Sequence, residues 1–220
     1  MSPHFQVLLW QPFMLACLVN GVALFVSYLL VRDSIDTTFS PFICSAVSFF
    51  IVPLLYLFFA TYPSFGLYHL FCFALAVTAH TDAQTLLISR LVTLFLIPLA
   101  WLGANLGWLP ITPLQSIGGA LLGLLVLHTT ARMARNFTGQ ESLGQGDVDL
   151  LAFIGAFLGP FGCWYSLLFG SVMGSLFGIG CMLVKGKAAR SMQLPFGTFL
   201  AFGALFSLLA QFKIITPILF

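Results

Sequence analysis

Most of the charge in this chain falls in short gaps between long apolar runs, and that pattern decides what it can fold into. A water-soluble domain of 220 residues needs a charged surface, whereas here 60% of the residues are hydrophobic, 6% are charged and the mean hydropathy is +1.07. A helix that spans a bilayer needs about 20 apolar residues. Eight candidate segments can be read, near residues 8–31, 40–61, 65–81, 86–108, 112–131, 148–159, 162–184 and 196–218. The expected fold is all-α, a polytopic transmembrane helix bundle of about eight segments. The segment at 148–159 is too short to cross alone. Gly159-Pro160-Phe161-Gly162 must turn or kink the chain there, leaving either a half-helix or a bent junction.

The basic residues give an independent reading, because Lys and Arg accumulate in cytoplasmic loops. Arg32 follows the first segment, Arg90 the third, Arg132 and Arg135 the fifth, and Lys185, Lys187 and Arg190 the seventh. Seven of the eight basic residues thus share one face, and Lys213, near the end of the last segment, is placed to snorkel to the other. Both termini are then extracytoplasmic. No positive charge precedes the first apolar run, which leads directly into Arg32 and Asp33, so it is expected to stay as a helix rather than be removed as a signal peptide. Nothing reads as a linker, a repeat or a low-complexity tail, and the longest polar stretch, about 132–147, reads as a loop within one membrane domain.

Several function classes drop out. Eight basic and six acidic residues, a net charge of +2, form no stripe that would bind nucleic acid. The five cysteines (Cys17, Cys44, Cys72, Cys163, Cys181) lie in or beside apolar runs without C-x-x-C or His/Cys spacing for zinc, and read as small buried hydrophobes. No metal or other cofactor is expected. Gly119 and Gly123, Gly155 and Gly159, and the ridge Gly170, Gly174 and Gly178 have the spacing that lets helices pack closely.

Against this apolar background two acids stand out, Asp82 and Asp147, each at the mouth of a hydrophobic segment and both on the cytoplasmic side by the charge count. A carboxylate at a bilayer centre costs roughly 2.5 to 3.5 kcal/mol, so acids beside spans are functional candidates. Asp147 closes Gly144-Gln145-Gly146-Asp147, a G-x-G-D sequence in which two glycines free the backbone just before the acid and a helix begins after it. Two carboxylates a few Å apart share a proton; one then activates water as general base while the other protonates the scissile carbonyl or the leaving amine. That chemistry is intramembrane aspartyl proteolysis. No Ser/His/Asp set competes with it, since His4, His69, His80 and His128 are scattered, although His80 lies two residues before Asp82. A small transporter or channel subunit using the two acids for protons or cations remains the alternative, distinguished by acids at midplane lining a through-path rather than facing each other near one surface.

From about residue 65 to the C-terminus the chain resembles the peptidase core of the type IV prepilin peptidases. Three landmarks carry the resemblance. Asp82-Ala83-Gln84-Thr85-Leu86-Leu87-Ile88-Ser89, leading into Leu91-Val92-Thr93-Leu94, is similar to the family's first catalytic aspartate with its polar turn and Leu/Thr-rich helix. Gly144-Gln145-Gly146-Asp147, running into Leu150-Leu151-Ala152-Phe153-Ile154-Gly155, resembles the second aspartate motif. Leu194-Pro195-Phe196-Gly197-Thr198-Phe199-Leu200-Ala201 resembles the Pro-Phe-Gly opening of the last helix. The resemblance implies a division into two N-terminal transmembrane helices (1–63) and a six-helix core (64–220), with Asp82 and Asp147 catalytic, Gly144 and Gly146 supporting, and His80, Asp149, Pro195, Phe196 and Gly197 as neighbours.

Departures from the family pattern are also visible. Ser89, Gln84 and Thr85 stand where the family usually has a proline and often an acid and a histidine, and Asp149 replaces a usual lysine. Asp149 either adds negative charge that opposes ionisation of a neighbouring carboxyl or faces solvent, since residues i and i+2 lie on different sides of a helix. Arg90 reads as an interfacial anchor. Larger members insert a cysteine-paired cytoplasmic domain, associated with N-methylation, between the first two helices, where this chain has only about Arg32 to Ser40.

The resemblance implies an aspartic endopeptidase of the bacterial inner membrane without self-contained methyltransferase activity. Its substrate would be a prepilin or pseudopilin of a pilus or secretion system, with a short basic leader on the cytoplasmic side and a helix in the lipid bilayer, cut just after a glycine. A presenilin-like or signal-peptide-peptidase-like protease also uses G-x-G-D, but the Pro-Ala-Leu sequence of that group is absent from the last helices. Cysteine accessibility or reporter fusions are expected to place both termini outside and the loops at 80–90 and 132–147 inside; a cytoplasmic N-terminus would break the eight-segment arrangement.

Overall fold

Helices account for nearly all of the described chain, and what ends each one explains how the site is assembled. The structure, a computed structural model, describes residues 62–138, 144–186 and 194–211. The expected segments at 8–31 and 40–61, and with them nearly all of the proposed N-terminal unit, lie outside the described residues. Five helices follow in order: α1 (Tyr62–Thr85), α2 (Arg90–Asn105), α3 (Pro113–Thr138), α4 (Gln145–Lys185) and α5 (Phe196–Gln211).

Helix α1 runs further than the apolar pattern alone predicts. Its polar end holds together because the hydroxyls of Thr78, Thr81 and Thr85 donate back to carbonyls one turn earlier, at 2.8 to 3.1 Å. Helix α3 starts on a reciprocal cap. The Gln115 amide donates to the Thr112 hydroxyl (3.2 Å), the Thr112 amide donates to the Gln115 side-chain carbonyl (2.9 Å), and Pro113 fills the first helical position. It continues to Thr138, so Arg132 and Arg135 are helical rather than part of the expected polar loop. Arginine is a good helix former, and a cation in the last turn suits the negative end of the helix dipole.

The sixth and seventh expected segments are one helix with a break. In α4, Gly159 has φ 72° and ψ −177°, a conformation essentially reserved for glycine, and Pro160 follows it. The break exposes carbonyls that would be costly to leave bare away from water, and neighbouring helices satisfy them. Pro160 has no N–H for the Ala156 carbonyl, which accepts instead from the Ser116 hydroxyl at 2.8 Å. The Leu158 carbonyl accepts from the Gln211 side-chain amide at 2.9 Å, and the Gly162 carbonyl from the Ser207 hydroxyl at 3.2 Å.

The two arms of α4 have different surroundings. Leu150 to Phe157 of the first arm are buried at the centre of the core, where Phe153 and Phe157 meet Phe71 of α1 with ring centroids 4.9 to 5.2 Å apart. The short segment is thus the innermost element of the described bundle, wrapped by other helices. The second arm turns Phe161, Leu168, Leu176 and Leu183 outward, and α3 exposes Leu121, Leu125 and Phe137. Pro113–Phe137 and Gln145–Val184 are long and apolar enough to cross a membrane. An exterior this apolar on helices of that length is consistent with an all-α membrane protein.

Close packing follows the glycines. A Cβ on Gly119 would fall on the backbone of Gly155, and one on Gly155 would fall on the backbone of Gly119. A Cβ on Gly123 would lie 2.6 Å from the Leu151 carbonyl oxygen. The second arm packs on α5 in the same manner, with Gly203 set against Ser166 and Gly170 and the Cβ position of Gly170 3.0 Å from the Leu200 Cα. Gly119→Ala and Gly155→Ala are each expected to cost about 1 to 3 kcal/mol, because backbone has to move to admit the methyl group. Gly180→Ala, with nothing within 4 Å of the added carbon, is expected to be neutral or slightly stabilising. Unfolding in detergent checks both expectations.

Candidate active site

Three helix ends converge on one glycine. Asp82 is in the last turn of α1, Asp147 in the first turn of α4 and Gly197 in the first turn of α5. A Cβ on Gly197 would lie 3.0 Å from one Asp82 carboxylate oxygen and 3.1 Å from an Asp147 oxygen. The two oxygens are therefore no more than about 6 Å apart, within the range where like charges disfavour joint ionisation. Both side chains are buried, Asp82 at 4% exposure and Asp147 at 9%.

The two carboxylates are held differently. The Asp82 Oδ2 accepts from the Thr198 backbone N–H at 2.7 Å, a donor left free because it belongs to the first turn of α5. The Thr198 hydroxyl lies 3.1 Å from the same oxygen and 3.0 Å from the Ala79 carbonyl, so its single proton is divided between two acceptors. Asp147, by contrast, is placed by its own helix start, with its N–H donating to the Gly144 carbonyl at 3.2 Å. Its Oδ1, the oxygen that faces Gly197, is buried without a hydrogen-bond partner among the described residues.

The turn between α1 and α2 closes the third side. Leu86 has φ 57°, a left-handed conformation unfavourable for a residue with a side chain, and its N–H donates to the Asp82 carbonyl at 2.9 Å. Ile88 then enters the site. Its Cβ would be 2.8 Å from a Cβ on Gly146, and its Cδ1 2.5 Å from one on Gly197.

These contacts revise the reasons given to several residues. Gly144 has φ −70° and ψ 142°, ordinary extended backbone, so the G-x-G-D glycines are not there to free the chain. Gly146 is needed because Ile88 occupies the space of its side chain. Asp149 neither faces solvent nor adds uncompensated charge: it is 4% exposed and ion-paired with Arg90, whose Nε lies 2.5 Å from its Oδ2. Arg90 is accordingly more than an interfacial anchor. Pro195 and Phe196 are half-buried at the start of α5 and lead directly into Gly197. His80 is on α1, two positions before Asp82 and on a different side, while the donors to Asp82 come from Thr198.

Thr198 and Ile88 were not separable from their surroundings by sequence, since neither carries a charge or a metal-binding group. A threonine in the first turn after Pro-Phe-Gly is the only trace of the Asp82 partner. Among the described residues, no group of three or more His, Cys, Asp or Glu side chains is close enough to hold a metal ion.

The model of the type IV leader peptidase family matches residues 69–179, half of the chain, and takes in both aspartates. The chain belongs to that family. It is 35% identical over 144 residues to the prepilin leader peptidase/N-methyltransferase of Aeromonas salmonicida strain A449, covering 64% of this chain and 47% of that protein. The identically named protein of Xanthomonas campestris pv. campestris is 33% identical over 145 residues, with 64% and 48% covered. That of Dickeya chrysanthemi is 38% identical over 138 residues, with 60% and 46% covered. The chain spans about half the length of these curated relatives. No solved structure shows a significant match. The family match ends before Gly197 and Thr198, so the α5 side of the site rests on the geometry above.

Removing the Thr198 hydroxyl is expected to weaken the fold by about 1 to 2 kcal/mol in Thr198→Val, and much less in Thr198→Ser. The same Thr198→Val change should cost less when Asp82 is already alanine, because one of its two acceptors is gone. A double-mutant cycle on thermal or denaturant unfolding measures that coupling.

Proposed function

We propose that the chain is an aspartic endopeptidase of the bacterial inner membrane, with several membrane passes, which cuts the N-terminal leader from type IV prepilin or pseudopilin-like substrates at the cytoplasmic face. The observation that carries this reading is the approach of Asp82 and Asp147 across Gly197, in a chain of the leader peptidase family. The positions of the acids at helix ends, the last turn of α1 and the first turn of α4, favour chemistry near one membrane surface over an ion path through the middle. N-methylation belongs to the names of the relatives and is not proposed for this chain.

The different surroundings of the acids suggest their roles. Asp82, with two donors on one oxygen, is suited to being the carboxylate and general base, because those hydrogen bonds favour the charged form. Asp147, with a buried oxygen that receives no donor, is suited to carrying the shared proton. Water placed between them gives a proton to Asp82 as its oxygen attacks the scissile carbonyl, while Asp147 protonates the carbonyl oxygen. The tetrahedral diol then collapses: Asp147 takes back a hydroxyl proton as the carbonyl re-forms, the C–N bond breaks, and the departing amine takes the proton held by Asp82, which restores the singly protonated pair. No covalent intermediate and no side-chain nucleophile are required. The proposed substrate has its cut placed where a leader meets an apolar helix, which suits a site at the end of apolar helices.

Membranes containing the protein, incubated with a tagged prepilin, are expected to yield a product that mass spectrometry locates just after the glycine at the end of the leader. Asp82→Asn and Asp147→Asn should each reduce cleavage by at least a thousandfold while remaining inserted and folded, on the order expected when an acid–base partner is lost. Wild-type-like processing by either variant contradicts the pairing. Because the working pair holds one proton, the rate should follow a bell-shaped curve in pH. A second proton abolishes the base at the acidic end, and loss of the first abolishes the acid at the alkaline end. Activity without an acidic limb, over a range where the protein stays folded, contradicts the shared proton.

A further inference from the structure

A buried carboxylate needs a reason, and Asp149 is not part of the proposed proton transfer. Its side chain is 6% exposed, whereas its partner Arg90 is 55% exposed. Arg90 is the first residue of α2, the end at which the helix dipole disfavours a cation. Helix preference would not put Arg90 there, and burial does not favour the Asp149 carboxylate, so the pair is explained by what it ties together: the start of α2 and the first two turns of α4.

The tie has a consequence for the aspartates. Only Leu86 to Ser89 separate α1 from α2, and the turn begins with Leu86 in a left-handed conformation that an unrestrained leucine leaves. Arg90 anchors the far end of this turn, two residues beyond Ile88. Ile88 in turn fills the space beside Gly146, the neighbour of Asp147, and beside Gly197, the neighbour of Thr198 that holds Asp82. Anchor, wedge and both aspartate supports thus form one continuous set of contacts.

We infer that the Arg90–Asp149 ion pair is a positioning latch: it holds Ile88 as a wedge between Gly146 and Gly197 and so sets the spacing of the two carboxylates. Both residues are positioning residues, acting through Ile88 without touching substrate. The effect on cleavage rests on the proposed peptidase function, but the hold on Ile88 does not. Loss of the latch frees the turn and lets the carboxylates drift, which slows the chemical step while leaving the remote binding of the substrate helix intact.

The test uses two readouts on the full chain in lipid. With a tagged prepilin as substrate, Arg90→Gln is expected to lower kcat at least tenfold with KM within about twofold of wild type, whereas Arg90→Lys, which keeps the charge, should stay within about threefold in kcat. In an Ile88→Cys protein, maleimide labelling of position 88, read by peptide mass spectrometry, should be slow. Adding Arg90→Gln should accelerate it at least fivefold, and adding Arg90→Lys should not. An unchanged labelling rate in the Arg90→Gln protein overturns the latch whatever the kinetics show. Faster labelling with unchanged kcat overturns its link to the carboxylates. If the wild-type protein cuts no prepilin while the labelling difference is present, the peptidase reading fails and the hold of Arg90 on Ile88 stands.

Discussion

The backbones of α3 and α4 touch at Gly119 and Gly155, and the position of everything at the site follows from that contact. It seats the first arm of α4 in the middle of the core, against Phe71 of α1, and thereby fixes where Asp147 in its first turn arrives. The break at Gly159 then lets the second arm leave in another direction and present Ser166 and Gly170 to Gly203 of α5. A straight helix could not serve both neighbours. Once α5 is laid along the second arm, its N-terminus falls between Asp82 and Asp147. Ser116 and Gln211 donate to the Ala156 and Leu158 carbonyls beside the break, which helps the irregular backbone persist away from water.

At the site, glycine supplies space rather than flexibility. Gly197 stands where any side chain would press on both carboxylates, and Gly146 stands where Ile88 already is. The acids are consequently close but not equivalent. One rests against the open end of a helix, where free amide donors favour an anion; the other offers a buried oxygen with no donor. An acid–base pair needs this kind of inequality, since two identical carboxylates give no reason for the proton to sit on either.

Much of this was legible in the sequence and some of it was not, for physical reasons that differ by residue. The helices were visible because apolar runs and their breaks are local properties, and Asp82 and Asp147 stood out because an acid beside a membrane span is expensive. The Gly159-Pro160 break was legible from two residues that cannot continue a helix in the ordinary way, but its central burial was not, because a short apolar run reads the same in a core as in a half-span. The ends of α1 and α3 were placed too early, since threonine and arginine look polar in a hydropathy profile while remaining compatible with helix. Thr198, Ile88 and the Arg90–Asp149 pair depend on residues distant in sequence: Arg90 and Asp149 are 59 positions apart, and Thr198 and Asp82 are 116 apart. The first two expected segments fall outside the described residues.

The central claim is that Asp82 and Asp147 act as one group with one proton. Infrared difference spectroscopy of the protonated carboxyl C=O stretch, recorded across a pH titration of the protein in lipid, tests it without any substrate. One protonated carboxyl is expected for the pair over the whole pH range in which the protein cuts its substrate, with the band displaced or lost in both Asp82→Asn and Asp147→Asn. Two carboxyls that titrate independently, each unaffected by replacement of the other, would contradict it.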